Sequence, residues 1–348
     1  MKKEYVKSID SLRVIAILAV IMIHVTTRTL EAAKFNLAAF PFTIFLNQIS
    51  RFAVPLFILI SGFVLEASAR DESYWSFIKR RFSKVFIPYV LWSAIYYLFI
   101  YNQNHDNFLR VILVGNASYQ LYFIPTLCIF YLLFPFLHKI YNVISNKIIL
   151  FLLFSSEIFL LYHDYFIKQF SFSDPIHIAI LSYFFFIAGI VVSRNREAMN
   201  SFIHKWKYLL VSGMVLSGVY VFLEGFDRYL SDKNYLDYYS QWRPSVLIYT
   251  VLLALVLFHI FEKVKFQFSL SEKLSKLSFN VFLIHVIFLE GFWTVAGKTI
   301  FNFLSGFTIG KPLFDILFFV IVTGLSFAFA YIIQKISKLN KILGVLGS

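Results

Sequence analysis

The chain has 348 residues, 59% of them apolar, 20% aromatic and only 15% charged, with Phe alone contributing 44. A water-soluble domain of this length needs far more surface charge, and a mean hydropathy of +0.73 with repeated apolar runs of about 20 residues places the chain among polytopic membrane proteins. A formal net charge of +13 would suggest nucleic acid in a soluble protein; here it reports loop topology, and no nucleic-acid partner is expected.

Ten spans are predicted, at residues 12–30, 42–66, 85–101, 119–137, 148–163, 177–193, 208–226, 244–262, 276–296 and 312–334, separated by polar, charged or proline-marked breaks such as 102–106 and 231–234. Assigning alternate loops to opposite sides puts 22 of the 32 Lys and Arg on the side of the amino terminus: Lys2, Lys3, Lys7 and Arg13, then those in 70–84, 139–147, 194–207, 263–276 and 335–341. The positive-inside rule then puts both termini in the cytoplasm. The expected fold is all-α, a polytopic integral membrane protein of about ten transmembrane helices. It is expected to form a single domain over 1–348 (core 8–335) with no appended soluble domain. The first apolar stretch is long and lacks a small-residue cleavage site, so it reads as an uncleaved span and not as a signal peptide.

The first span opens on Ser8-Ile-Asp-Ser-Leu-Arg13 and carries His24 well inside. Eleven residues are three helical turns, so Arg13 and His24 project from one face, about 16 Å apart along the axis. A titratable group in hydrocarbon costs a few kcal/mol and faces a partner, the bundle interior or a water-filled cavity. His24 is either a general base that takes a hydroxyl proton or a packed histidine bonded to a carbonyl, and spacing alone does not separate the two. Arg13 is either a cytoplasmic anchor or, oriented by Asp10, a planar fork for a phosphate.

The second span contains Asn47-Gln-Ile-Ser-Arg51, followed by Pro55-Leu-Phe-Ile-Leu-Ile-Ser-Gly-Phe63. Pro55 is expected to loosen the backbone there. Ser61 and Gly62 suit close helix packing, and Arg51 suits an anionic group. The next loop, Phe77 to Pro88, holds Lys79, Arg80, Arg81 and Lys84, the densest basic cluster in the chain. It reads as attraction to membrane lipid headgroups or as a site for a phosphorylated cytosolic donor.

Glu157, His259 and His285 fall within later spans and are open to a structural reading. The stretch from Gly225 to Arg243 mixes carboxylates with Tyr and Trp, which suits either sugar rings or an interfacial aromatic belt. The single Cys128 excludes an internal disulfide framework and a thiolate metal cluster, and no metal site is expected. Walker, dinucleotide-binding, Gly-x-Ser-x-Gly and His-Glu-x-x-His motifs are absent from the sequence, which argues against a self-powered pump.

Four stretches together resemble the acyltransferase-3 family of polytopic membrane acyltransferases. They are Ile9-Asp-Ser-Leu-Arg13 with His24; Pro55 to Phe63; Arg81-Phe-Ser-Lys-Val-Phe-Ile-Pro88, with Lys84 where Arg is often seen; and Ser278-Phe-Asn-Val-Phe-Leu-Ile-His285. The nearest likeness is to the stand-alone branch containing the enterobacterial common antigen O-acetyltransferase. One departure is Gln120-Leu-Tyr-Phe123, where many members have His-Leu-Trp-Phe, so no role for a histidine carries over there.

The resemblance implies an O-acyltransferase of the bacterial plasma membrane, with acetyl the expected group, acyl-CoA (acetyl-CoA) the co-substrate and no bound cofactor. The acceptor would be a hydroxyl of a surface glycan or of its lipid-linked precursor. Arg13, Arg80, Arg81 and Lys84 would hold the donor and His24 would be the base, with Arg13 counted beside it in the catalytic pair. Asp10, Arg51 and His285 would bind the acceptor or support the site. Whether a separate glycan-synthesis protein completes the transfer is left open. A polysaccharide or lipid-linked sugar transporter is the second reading, with no paired broken helices in inverted repeats to support it.

Overall fold

The computed structural model describes residues 7–33, 37–101, 107–167, 175–231, 240–263 and 268–336. The predicted breaks at 102–106 and 232–234, the core of the aromatic loop at 232–239, and the basic residues Lys2, Lys3, Lys265, Lys338 and Lys341 lie outside the described residues.

In chain order the α-helices are α1 (Lys7–Ala32), α2 (Pro41–Ile49), α3 (Ala53–Ala67), α4 (Tyr74–Ile95), α5 (Phe108–Val114), α6 (Phe123–Lys139), α7 (Tyr141–Ile144), α8 (Lys147–Tyr162), α9 (Pro175–Ile180), α10 (Tyr183–Arg194), α11 (Arg196–Ser231), α12 (Pro244–Lys263), α13 (Phe268–Phe292), α14 (Lys298–Ser305) and α15 (Gly310–Lys335). No strand occurs among the described residues, so the protein is all-α. Three helices run on into a wide π-type turn: α4 at Tyr96–Ile100, α8 at His163–Ile167 and α13 at Trp293–Gly297.

Eight helical segments among the described residues are long and apolar enough to cross a membrane, and each covers an expected span. The spans expected at 119–137 and 177–193 correspond to shorter apolar helices, Phe123–Lys139 and Tyr183–Arg194. The second is short because the chain turns at Leu181 and Ser182, which separate α9 from α10. Large apolar side chains such as Phe99, Ile148 and Leu216 are exposed, the surface of a protein whose solvent is lipid.

Two details depart from the sequence expectations. The basic residues 79–84 lie on helix α4 and not in a loop: Ser73 caps that helix by accepting from the Ser76 amide at 3.3 Å, and no Gly or Pro interrupts the residues up to Pro88. The backbone of the second span breaks at Ser50–Phe52, upstream of Pro55. Pro55 sits in the first turn of α3, where its missing N–H has no intrahelical acceptor to lose.

The chain divides into two compact units. The first comprises Met1–Ile9, Pro55–Lys205 and Ile332–Ser348; the second comprises Asp10–Val54 and Trp206–Tyr331.

In the first unit α6 packs on α4 and α9, and α10 packs on α8 and α6. Helices α3 and α10 cross at backbone distance: a Cβ on Gly62 would lie 2.1 Å from the Phe186 carbonyl oxygen, and one on Gly189 would lie 2.0 Å from that of Leu59. Phe130 and Phe186 stack at 4.6 Å beside that crossing. Tyr89 ties α4 to α5 by donating to the Ile112 carbonyl at 2.5 Å. Asn107 and Asn146 cap α5 and α8, each accepting from the amides two and three residues on.

Glu157 has a structural role. The break before α10 leaves first-turn amides without partners, and the fully buried Glu157 accepts the Phe184 N–H at 2.6 Å.

In the second unit Asp315 of α15, fully buried, accepts from Thr29 of α1 at 2.8 Å and from Thr43 of α2 at 2.5 Å. One carboxylate thereby pins three helices. Trp293, Phe301, Phe314 and Phe318 fill the adjoining space with ring separations of 5.4–6.2 Å among neighbouring pairs.

Gly189→Ala is expected to force α3 and α10 apart and to cost about 1–3 kcal/mol. Gly291→Ala, where a Cβ meets nothing within 4 Å, should leave stability unchanged. Thermal exposure of the buried Cys128 thiol to a maleimide dye measures both, and equal melting of the two variants would refute the close crossing.

Candidate functional site

The second unit gathers five of the eight expected site residues. Near the start of α1, Arg13 lies 3.6 Å from Asp10. The buried Asp10 also accepts from Ser275 of α13 at 2.7 Å. Asp10 thus fixes α1 to α13 and leaves Arg13, about one-third exposed, with donors to spare.

Three turns on, His24 faces His285 of α13, the ring centroids 5.2 Å apart and the planes 31° apart. His285 is fully buried. Its Nδ1 is 3.1 Å from the Val281 carbonyl and 2.9 Å from that of Phe282. Carbonyls only accept, so the hydrogen resides on Nδ1 and Nε2 is left as a bare acceptor. That Nε2 is buried and has no hydrogen-bond partner among the described residues.

Arg51 lies within electrostatic reach of His24 and donates to the Asn47 side-chain carbonyl. The Asn47 amide donates in turn to Thr26 at 3.0 Å, to Thr27 at 3.1 Å and to the Ile23 carbonyl at 3.3 Å. A single Asn therefore grips the turn of α1 that carries His24 and fixes a buried guanidinium beside it. At the backbone break at 50–52 Arg51 faces the interior, where it is 3% exposed.

Gln48 continues the network. It donates to Asn47 at 3.2 Å and accepts from the fully buried Arg243 at 2.6 Å. Arg243 pairs with Glu224 at 3.3 Å, and Glu224 also accepts from Ser245. Gly225 leaves room for this: a Cβ there would lie 2.3 Å from the Gln48 amide. One turn beyond His24, Arg28 reaches Glu31 at 3.3 Å and Glu290 at 3.6 Å and lies over Trp293, 4.9 Å from the ring centre.

The remaining three expected residues, Arg80, Arg81 and Lys84, belong to the first unit. Arg80 is bonded to Glu72, and Arg81 donates to Ser68; both guanidiniums lie against Phe77, at 5.7 and 5.9 Å. Lys84 is exposed. Nearby in this unit Glu66 accepts from His138 at 2.8 Å and from Arg194 at 2.5 Å, with Arg194 over Tyr141 at 4.0 Å.

Sequence reasoning missed Asn47, Gln48, Arg243 and Asp315 as organisers of the site. The signal was present for the first two, since a polar pair inside an apolar span needs partners. Arg243 gives no local signal that it folds back on Gln48, 195 residues away in sequence.

A family model described as an acyltransferase domain matches residues 6–335. A Bacillus subtilis protein named "Putative membrane-bound acyltransferase YfiQ" is 22% identical over 307 residues, 82% of this chain and 81% of that protein. A Staphylococcus aureus protein named "Probable poly-beta-1,6-N-acetyl-D-glucosamine export protein" is 24% identical over 295 residues, 80% of this chain and 81% of its own. No solved structure matches the chain.

Asn47→Ala removes the acceptor for Arg51 and the donors to α1, and is expected to cost about 1–3 kcal/mol, read as a lowered melting temperature by circular dichroism in nanodiscs. A melting temperature equal to the parent's would show that the network is not held through Asn47. In the first unit, the hydrogen bond from Arg80 holds the Glu72 carboxyl below the usual carboxylate range. Its contribution is present above the unfolded pKa and is lost as pH falls through the lower folded value. The melting difference between parent and Glu72→Gln should therefore shrink on acidification below about pH 4; a difference constant with pH would contradict it.

Proposed function

Because this multi-pass membrane protein belongs to the acyltransferase-3 family and is an acyltransferase, we propose that it moves an acyl group, expected to be acetyl, from acyl-CoA to a hydroxyl of a surface glycan or of its lipid-linked precursor. The observation that carries this reading is the pairing of His24, half-buried, with the buried His285 beside the buried Arg51, on the helix whose other end bears Arg13. It puts a proton acceptor and a fixed positive charge in one interior site, as acyl transfer needs.

In this reading Arg13, held by Asp10, binds a phosphate of the donor at the cytoplasmic end of α1 through charge-assisted bonds. Arg80, Arg81 and Lys84 are proposed as further donor contacts, with Lys84 the least engaged by the protein itself. His24 takes the proton of the acceptor hydroxyl as the oxygen attacks the thioester carbonyl. The C–S bond then breaks, and the proton passes from His24 to the departing sulfur, giving the O-acyl ester and free CoA. Arg51 stabilises the negative charge that develops on the carbonyl oxygen. Transfer through an acyl-enzyme is the alternative order of the same bond changes.

A second reading, movement of a polysaccharide or lipid-linked sugar, is favoured by the export name of the Staphylococcus aureus relatives. Substrate movement in proteoliposomes without any acyl donor would support it.

Turnover of labelled acetyl-CoA by the purified protein in nanodiscs with a glycan acceptor tests the first reading. His24→Ala should lower the rate by about 10² to 10⁴-fold while the protein stays folded, and Arg13→Ala should raise KM for acetyl-CoA more than it lowers kcat. Undiminished transfer in folded His24→Ala would remove His24 as the base.

A further inference from the structure

We propose that Arg194 and His138 form a site for a phosphomonoester, and that its occupant is the ribose 3′-phosphate of the CoA donor. The occupant rests on the donor named in the proposed function; the site rests on the geometry of the first unit alone.

The cluster gathers the ends of three helices: Glu66 of α3, His138 of α6 and Arg194 of α10. The charge count assigns these ends to the side expected to be cytoplasmic. The Glu66 side chain is 3% exposed; one of its oxygens accepts from Arg194 Nε at 2.5 Å and the other from His138 Nδ1 at 2.8 Å. A carboxylate oxygen only accepts, so the imidazole hydrogen is on Nδ1 and points at Glu66. Arg194 Nη2 lies 3.0 Å from that same Nδ1, yet it cannot donate to a nitrogen that already carries hydrogen. Two donors are thus held side by side, and those of Nη2 go unused. Arg194 Nη1 likewise makes no hydrogen bond among the described residues.

Glu66 and the Tyr141 ring, 4.0 Å from the guanidinium, fix the plane of Arg194. The Nη1–Nη2 edge is therefore the part that the protein does not use, on a side chain 35% exposed. Such an edge matches two oxygens of one phosphate. Arg80 differs, because Glu72 fills its Nε–Nη2 edge. Around the cluster Lys139 and Arg196 outnumber Glu197, and a protonated His138 adds to the positive charge. A phosphomonoester brings about −1.5 to −2 charges at pH 7 and three acceptor oxygens, so two can meet the guanidinium while the third stays in reach of other donors. CoA carries one such group, on its ribose, at the end remote from the thioester. A half-exposed site at the helix ends suits that end of the donor.

Isothermal titration of the full-length protein in phosphatidylcholine nanodiscs, with CoA and with 3′-dephospho-CoA, tests this. The parent is expected to bind CoA about 10-fold or more tighter than dephospho-CoA. Arg194→Gln should weaken CoA by about that factor and leave dephospho-CoA within about 2-fold, so that the preference disappears. Removing Arg194 alone leaves a buried carboxylate short of a partner. The double variant Glu66→Gln/Arg194→Gln, which loses both charges, carries the test if the single variant does not fold. No preference in the parent, or an equal loss for both ligands in the variants, overturns the proposal.

Phosphatidic acid offers the same phosphomonoester from the bilayer, and adding it to the discs separates the two sources. The preference for CoA is expected to survive; a preference abolished by the lipid gives the site to the headgroup and overturns the nucleotide assignment. The proposed function fails separately. CoA binding that prefers the 3′-phosphate through Arg194, in a protein without acetyl turnover, would leave this site standing and remove the reaction. Acetyl turnover with KM for acetyl-CoA unchanged in Arg194→Gln would leave the reaction and remove the site.

Discussion

The arrangement of the second unit depends on one side-chain amide, that of Asn47. A buried guanidinium costs several kcal/mol unless its donors are met, and a membrane interior offers no bulk water to meet them. Asn47 accepts from Arg51 with its oxygen and gives its hydrogens to the α1 turn around His24. Gln48 extends the same chain of donors and acceptors to Arg243 and Glu224. Specific polar contacts thus do in this unit what hydrophobic burial does in a soluble core, because lipid tails are as apolar as the side chains they face.

The first unit is held by a different device. Glycine removes the Cβ where α3 and α10 cross, so that backbones touch through Gly62 and Gly189 and dispersion between closely packed atoms takes over. Its interior polar groups serve helix ends, as Glu157 does for the broken start of α10. The pair His24 and His285 lies where the scaffold is polar and networked, while the basic residues of α4 lie on a helix that closes its own unit through Phe77 against Phe134.

What the sequence made legible follows from local physics. Apolar length located all eight long helices, and Asn107 and Asn146 announce the starts of α5 and α8 by their capping chemistry. Periodicity along α1 put Arg13 and His24 on one face. The fold-back of Arg243 onto Gln48, and of Asp315 onto Thr29 and Thr43, was not legible, because each joins residues about 195 to 286 positions apart with no local cue. The helical state of residues 79–84 was missed for another reason: charge density suggested a loop, although Ser73 was already the capping residue. His285 was singled out, but the commitment of its Nδ1 to its own helix needs coordinates.

The three wide turns carry a consequence for comparing this chain with its distant relatives. A turn closed from residue i to i+5 holds one residue more than an α-helical turn, and one residue is about 100° of rotation on a helix. Beyond Trp293–Gly297, therefore, positions of α14 occupy a different angular phase from the one that α13 would have projected forward. A relative that makes this passage as plain α-helix needs a one-residue gap there to keep interior positions opposite interior positions. Without it, Phe301, which is buried against Trp293, would be paired with a residue facing lipid, and true kinship in the last two helices would register as substitution.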